Sequence, residues 1–160
     1  MKKTKQNLFS YIALLALIFT PALIACNDKK PNTNSERELI IADSLFSATS
    51  AGKGMKNAFL EYLDSNAVLL RSNRMPIEGI TSVKKYFDGF SDSSFILTWK
   101  PLKARISSES GMGFTYGIYE ILDKTTGHSS EKGTYVTIWQ KDEKGNWKAV
   151  FDTGNEGIGK

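Results

Sequence analysis

Apolar residues in the first half of the chain recur at the spacing of helices. Ser35 and Glu38 fit a capping box, which places the start of the first helix at Ser35. Glycines at positions 52 and 54 end that helix, and the last helix begins near Gly79. Three helices are predicted, with apolar faces formed by Ile41, Leu45 and Ala48, then Met55, Phe59 and Leu63, then Ile80, Val83, Phe87 and Phe90.

The second half of the chain predicts β-strands, because aromatic and β-branched residues alternate along it. A turn at residues 64–66 precedes the first strand, at residues 67–71, and further strands are predicted over residues 95–107, 114–123, 134–141 and 147–153. Pro101 requires its strand to contain a bulge or to lie at an edge. Helices followed by a run of strands predict an α+β fold, in which three N-terminal helices pack on one face of an antiparallel sheet.

Two of the predicted strands carry apolar side chains on both faces. On one strand, Phe114, Tyr116 and Ile118 point to one face and Tyr119 and Ile121 to the other. On the next, Val136 and Ile138 point to one face and Tyr135 and Trp139 to the other. The helices can cover only one face. We therefore expect the sheet to curl strongly, or a second copy to pack on the face bearing Tyr116 and Ile138 in a homodimer.

The N-terminus has the layout of a secretory signal, with a basic start, an apolar stretch over residues 8–24 and a small residue before a cut. The ending Leu23-Ile-Ala-Cys26 resembles the bacterial lipobox, which implies acylation of Cys26 and cleavage just before it. Residues 1–25 are thus predicted to be a lipoprotein signal peptide. An uncleaved membrane anchor is the first alternative, but Pro21 near the end of the stretch argues against it. Ordinary signal cleavage is the second alternative.

A polar segment separates the signal from the folded domain. Residues 26–35 include Pro31 and lack large apolar side chains, so they predict a disordered tether. One domain is predicted over residues 36–155, followed by a short tail at residues 156–160. Together these segments predict a protein anchored in the bacterial cell envelope, on the periplasmic or surface side, with the acylated cysteine in the lipid bilayer.

Charge and composition exclude several classes of function. The net charge of +4 depends on Lys2, Lys3 and Lys5 of the signal segment, and 18 basic and 17 acidic residues remain after it. A nucleic-acid partner is therefore not expected. The single cysteine excludes an internal disulfide, and the single histidine excludes a multi-histidine metal site. No cofactor or metal is predicted.

Local motifs in the domain resemble the nuclear transport factor 2-like superfamily, which includes SnoaL-like cyclases and ketosteroid isomerases. The motifs are Met75-Pro-Ile-Glu-Gly79 before the third helix, Trp99-Lys-Pro101 with Ala104, and the runs at residues 113–117, 133–139 and 145–155. They are most similar to a SnoaL-like subfamily described as a domain of unknown function. The resemblance implies a cone-shaped curved sheet whose open end is an apolar pocket.

The family layout also implies which side chains face the pocket. They are Val150 and Asp152 on the last strand, Tyr119 and Ile121, and Tyr135, Thr137 and Trp139, with Trp99 and Arg71 able to reach the mouth. A register slip of one residue would reverse these orientations. His128 lies in a connecting loop with no positioned partner and is expected to be a surface residue.

Asp152 is the candidate catalytic residue because it interrupts an apolar strand. A carboxyl in an apolar pocket has a raised pKa and can act as acid or base. The alternative is a structural carboxylate that accepts hydrogen bonds, with Tyr135, Thr137 and Arg71 as candidate donors. The isomerase base of the family falls at Arg71, which cannot act as a base, so isomerase chemistry is not supported.

Three functions remain open from the sequence. The leading prediction is an envelope lipoprotein whose cone binds a small, partly apolar molecule or a peptide. The second is an enzyme that uses Asp152 as acid or base on a carbonyl substrate. The third is a structural lipoprotein whose cone is filled by its own side chains.

Overall fold

The computed structural model describes residues 33–89, 91–107 and 110–159, which belong to one compact unit. The predicted signal peptide, Cys26, most of the tether and Phe90 lie outside these residues. Within the described part of the chain, no helix combines the length and hydrophobicity needed to span a membrane.

The three predicted helices are confirmed. They are α1 at Thr33–Lys53, α2 at Met55–Tyr62 and α3 at Gly79–Asp88. The first begins two residues before Ser35, so Ser35 lies inside the helix rather than at its cap. Because Gly54, with a φ of 93°, adopts a left-handed conformation, it separates α1 from α2 with a single residue.

The predicted buried face of α1 is wrong. Ile41 and Leu45 are 50% and 54% exposed, and Ala48 is also exposed. The buried stripe runs instead through Leu39, Asp43, Phe46, Ser47 and Ser50. These positions follow the i, i+4, i+7, i+8, i+11 spacing of one helix face, and Ile41 lies about half a turn away from Leu39. The error arose because the correct face contains three polar residues.

Those polar residues have partners on the sheet. Ser47 Oγ donates to the carbonyl of Trp99 and accepts from its N–H, both at 2.8 Å, and Ser50 Oγ donates to the carbonyl of Leu97 at 2.8 Å. The strand that carries Leu97 and Trp99 lies at the edge of the sheet. The serines of α1 therefore satisfy backbone groups that this edge would otherwise leave unpaired.

Six strands form one curved, open sheet. They are β1 Leu63–Leu70, β2 Ile77–Glu78, β3 Phe95–Ile106, β4 Met112–Asp123, β5 Ser129–Lys141 and β6 Trp147–Glu156. Their order across the sheet is β2-β1-β6-β5-β4-β3. All neighbours are antiparallel except β1 and β6, which run parallel. This exception to the predicted antiparallel sheet is possible because a long connection, rather than a hairpin, joins the two strands.

Strand boundaries differ from the predictions at defined places. β1 includes the predicted turn at residues 64–66, where the pairing with β6 shifts register between Leu63 and Val68. β5 begins five residues earlier than expected, and β6 ends three residues later. Pro101 was expected to need a bulge or an edge position, and it has both, since β3 lies at the edge of the sheet and its register with β4 shifts between Pro101 and Lys103.

The core lies between the helices and the concave face of the sheet. Phe46 of α1 is its centre, with its ring centroid 4.9 Å from Phe59, 4.9 Å from Tyr62 and 4.7 Å from Trp99. The outer face keeps the apolar residues predicted for it. Phe114, Tyr116 and Ile118 of β4 are 39%, 42% and 36% exposed.

Candidate functional site

A cavity of about 420 Å³ opens between the helices and the concave face of the sheet. Five aromatic rings contribute to its lining: Phe59, Tyr86, Trp99, Tyr119 and Tyr135. Five charged side chains also line it: Arg71, Arg74, Glu131, Asp152 and Glu156. This combination of aromatic walls with a few polar groups is typical of a small-molecule site.

Two tyrosines of the cavity wall are placed by glycines on the neighbouring strand. Tyr119 lies opposite Gly133, and Gly117 lies opposite Tyr135, in the antiparallel pairing of β4 and β5. A Cβ at Gly133 would lie 2.3 Å from the Tyr119 ring, and one at Gly117 would lie 2.8 Å from the Tyr135 ring. The repeated Gly-x-Tyr pattern therefore lets both rings lie close over the backbone of the sheet.

A buried carboxylate fixes two of the wall residues. Asp43 of α1 is fully buried. Its Oδ1 accepts a hydrogen bond from Trp99 Nε1, and its Oδ2 accepts one from Tyr135 OH, both at 2.7 Å. Trp139 Nε1 donates to Thr115 Oγ1 at 2.9 Å, which extends the same polar layer toward the core. Asp43 thus orients Trp99 and Tyr135, whose rings face the cavity.

The buried environment around Asp43 raises two pKa values, that of Asp43 and that of Tyr135. Burial raises the pKa of Asp43, and the hydrogen bonds from Tyr135, Trp99 and Thr115 oppose that rise. Burial also raises the pKa of Tyr135, with a further contribution from the charge of Asp43. The tyrosine consequently stays protonated and remains the donor in this hydrogen bond.

A second buried network centres on Asp152. Arg71 Nη2 donates to Asp152 Oδ1 at 2.7 Å, and Thr137 Oγ1 donates to Oδ2 at 2.8 Å. Arg71 Nη1 also donates to the carbonyls of Leu70 and Asp152. The side chains of Arg71 and Asp152 are 23% and 10% exposed. Both carboxylate oxygens are therefore occupied by donors of the chain itself, one of them an arginine.

The remaining polar groups lie toward the ends of the strands. Tyr119 OH donates to Glu131, and burial together with this bond raises the pKa of Tyr119. Arg74 lies over the Tyr86 ring, 5.2 Å from its centroid. Among the described residues, the side chains of Arg74 and Glu156 make no hydrogen bond or ion pair. These two groups are available to a bound molecule.

The structure brings together most of the residues predicted for the pocket. Six of them line the cavity: Arg71, Trp99, Tyr119, Ile121, Tyr135 and Asp152. A role for any of them in ligand binding stays a prediction. Asp152 has the donors expected from Arg71 and Thr137, but the third candidate, Tyr135, donates to Asp43 instead.

The other predicted positions lie elsewhere. Thr137 and Trp139 are buried behind the wall rather than in it, at 1% and 0% exposure. Val150 does not line the cavity, because the β5–β6 register shifts between Ile138 and Trp139 and pairs Trp139 with Ala149. Ala149 takes the buried position. His128 is exposed in the loop between β4 and β5, as expected.

Four polar residues of the site were not predicted from the sequence: Asp43, Arg74, Glu131 and Glu156. A signal for Asp43 exists, since Leu39, Asp43 and Phe46 share one helical stripe. Nothing comparable marks Arg74, Glu131 or Glu156, which reach the cavity only through the path of their loop or strand. No group of three or more histidine, cysteine, aspartate or glutamate side chains among the described residues is placed to hold a metal ion.

Solved structures with the same architecture identify the fold. A nuclear transport factor 2-like protein of unknown function from Pseudomonas putida superposes with a TM-score of 0.66 at 7% identity, over 81% of this chain and 92% of that one. The fold is nuclear transport factor 2-like. This confirms the predicted cone-shaped α+β class, whereas membership of the SnoaL-like subfamily stays a prediction.

Two further structures extend the comparison of this nuclear transport factor 2-like fold. A ketosteroid isomerase-like protein from Erwinia carotovora has a TM-score of 0.60 at 12% identity, over 76% of this chain and 96% of that one. A protein from Catenulispora acidiphila, solved in complex with S-DNPA, has a TM-score of 0.59 at 9% identity, over 77% and 92%. No family model and no curated protein sequence matches the chain.

Proposed function

We propose that this protein is a lipid-anchored module of the bacterial cell envelope that binds a small, partly apolar molecule or a peptide in its cavity. The observation that carries the proposal is the cavity of about 420 Å³, with aromatic walls already fixed in place by internal hydrogen bonds. Preformed walls reduce the entropy lost when a ligand binds. The complex of the Catenulispora acidiphila protein with S-DNPA gives a precedent for a bound compound in a protein of this architecture.

The two buried carboxylates favour binding over catalysis. Both oxygens of Asp43 and both oxygens of Asp152 accept hydrogen bonds from the chain. A general base must reach the proton that it abstracts, and Asp152 would first have to leave Arg71 and Thr137. The open cavity likewise argues against a cone filled by its own side chains.

Anchoring and assembly complete the proposal. The lipobox ending at Cys26 supports attachment to the bilayer, and acyl chains on that cysteine would make it stable. The exposed apolar residues Phe114, Tyr116 and Ile118 support a homodimer through the outer face of the sheet. The cavity faces the helices, so such a dimer would leave it open to a ligand.

Native mass spectrometry of the full chain, extracted from membranes in detergent, tests the binding function. We expect a bound molecule on the wild type and a strong loss of it in Ile121→Trp, because Ile121 lines the cavity and the larger ring fills it. Ile41→Trp places the same ring on the exposed surface of α1 and should retain the molecule. A wild type without any bound molecule, or equal occupancy in Ile121→Trp, would contradict the proposal.

A further inference from the structure

The charged side chains of the cavity differ in whether another group of the chain already pairs with them. Arg71 and Asp152 neutralise each other in an ion pair at 2.7 Å. Glu131 accepts a hydrogen bond from the hydroxyl of Tyr119, a neutral donor. Arg74 and Glu156 also line the cavity, and within the described residues neither side chain has a hydrogen bond or an ion pair.

The unpaired charges of opposite sign come from different parts of the fold. Arg74 follows β1 in its connection to β2 and lies over Tyr86 of α3. Glu156 ends β6 and pairs in register with Gly133 of β5, two residues after Glu131. Because this register brings Glu131 and Glu156 to neighbouring positions at the same end of β5 and β6, these two carboxylates form one acidic side of the cavity. Arg74 supplies a basic side beside α3.

We propose that the ligand is dipolar, with a carboxylate that binds Arg74, an ammonium group that binds Glu156, and an apolar body against Trp99 and Tyr135. A ligand of single charge would leave one of the two unpaired groups facing it, which lowers affinity through imperfect pairing. Arg74 is suited to a carboxylate because its guanidinium presents a planar set of donors. Free amino acids with large apolar side chains and short apolar peptides with free ends share this chemistry.

This inference rests on the proposed binding function. The test is calorimetric titration of the full chain in lipid nanodiscs with the dipeptide phenylalanyl-alanine. Its N-acetyl form, its C-terminal amide and free phenylalanine are titrated alongside it. The blocked forms keep the apolar body and remove one charge each. We expect the free dipeptide to bind up to about fivefold more tightly than either blocked form, the upper end of what exposed ion pairs contribute.

Two substitutions assign the charges. Arg74→Met keeps a long side chain over Tyr86 and should abolish the preference over the amide, while the preference over the N-acetyl form persists. Glu156→Gln should show the reverse pattern. Lys144→Met and Glu143→Gln remove the same charges in the β5–β6 turn, away from the cavity, and should preserve both preferences. General damage to the fold would not produce this crossed pattern.

The outcomes separate the two proposals. If a singly blocked form binds as tightly as the free dipeptide, the dipolar assignment is overturned. If neither the dipeptide forms nor phenylalanine bind, while the mass spectrum shows a molecule that Ile121→Trp loses, the assignment fails and the binding function stands. If that molecule is also absent, both fail. If phenylalanine binds with higher affinity than the dipeptide, a free amino acid is the dipolar ligand. If the dipeptide binds with higher affinity, the ligand is a peptide.

Discussion

Replacing Asp43 by asparagine tests how a buried carboxylate affects stability. The pKa of Asp43 lies above its ordinary value of 3.8, because burial penalises the ionised form more than its hydrogen bonds favour it. The folded state therefore binds this proton more tightly than the unfolded state. The contribution of Asp43 to stability is fully present below the unfolded pKa and declines as the pH rises through the raised folded pKa.

The expected pH dependence of the free energy of unfolding is that of a single proton bound by Asp43. The free energy of unfolding contributed by Asp43 falls by at most about 1.4 kcal/mol for each pH unit within that window. Asparagine has nearly the same shape and does not titrate there. The stability of the wild type minus that of Asp43→Asn should therefore decrease from about pH 4 upward and become constant above the folded pKa.

Urea unfolding at a series of pH values, monitored by tryptophan fluorescence, measures this difference. Asp123→Asn is the control of opposite sign, because the N–H of Thr126 lowers the pKa of Asp123 in an exposed turn. The stability contributed by Asp123 is present above its unfolded pKa and is lost as the pH falls through its lowered folded pKa. A difference for Asp43→Asn that stays constant, or grows with pH, would refute the reasoning.

Four other outcomes are expected. Cys26→Ser should block lipid attachment and leave unprocessed precursor in membrane fractions, and normal processing of this variant would contradict the lipobox. Light scattering should give a dimer at micromolar concentration, and Tyr116→Lys with Ile138→Lys should give a monomer; a wild-type monomer would exclude this interface. Asp152→Asn should lower the free energy of unfolding by about 1–3 kcal/mol in urea, because it weakens two buried hydrogen bonds. Gly133→Ala should destabilise the fold, since its Cβ would lie 2.2 Å from the carbonyl oxygen of Asn155, and an unchanged melting temperature would argue against that packing.

The periodicity of the sequence was sufficient to locate the main helices and strands. Helical spacing located all three helices, and alternation located the five longer strands, because both signals are local. The two-residue β2 is too short to produce a pattern. The parallel neighbour β6 for β1 was not predicted either, since it depends on how a long connection crosses the sheet rather than on any local residue.

A β-bulge explains why Val150 was wrongly placed in the cavity wall. Strict alternation places Val150 and Asp152 on the same face, but the shift between Ile138 and Trp139 gives the inner position to Ala149. The Gly-x-Tyr repeats were visible in the sequence. Their structural role was not visible, because it depends on the strand register that places Tyr119 opposite Gly133 and Tyr135 opposite Gly117.

The two buried aspartates show what a sequence alone cannot separate. Each is a single carboxylate among apolar neighbours, so each qualifies equally as a candidate acid or base. The difference comes from partners far along the chain: Trp99 and Tyr135 are 56 and 92 positions from Asp43, and Arg71 is 81 positions from Asp152. Neutral donors leave the pKa of Asp43 raised by burial, whereas Asp152 has a cation as its partner. The fold thus assigns Asp43 to orienting the aromatic wall and Asp152 to holding Arg71. Our proposal that Arg74 and Glu156 bind the ligand depends on this difference, because the described residues give neither of them an ion-pair partner.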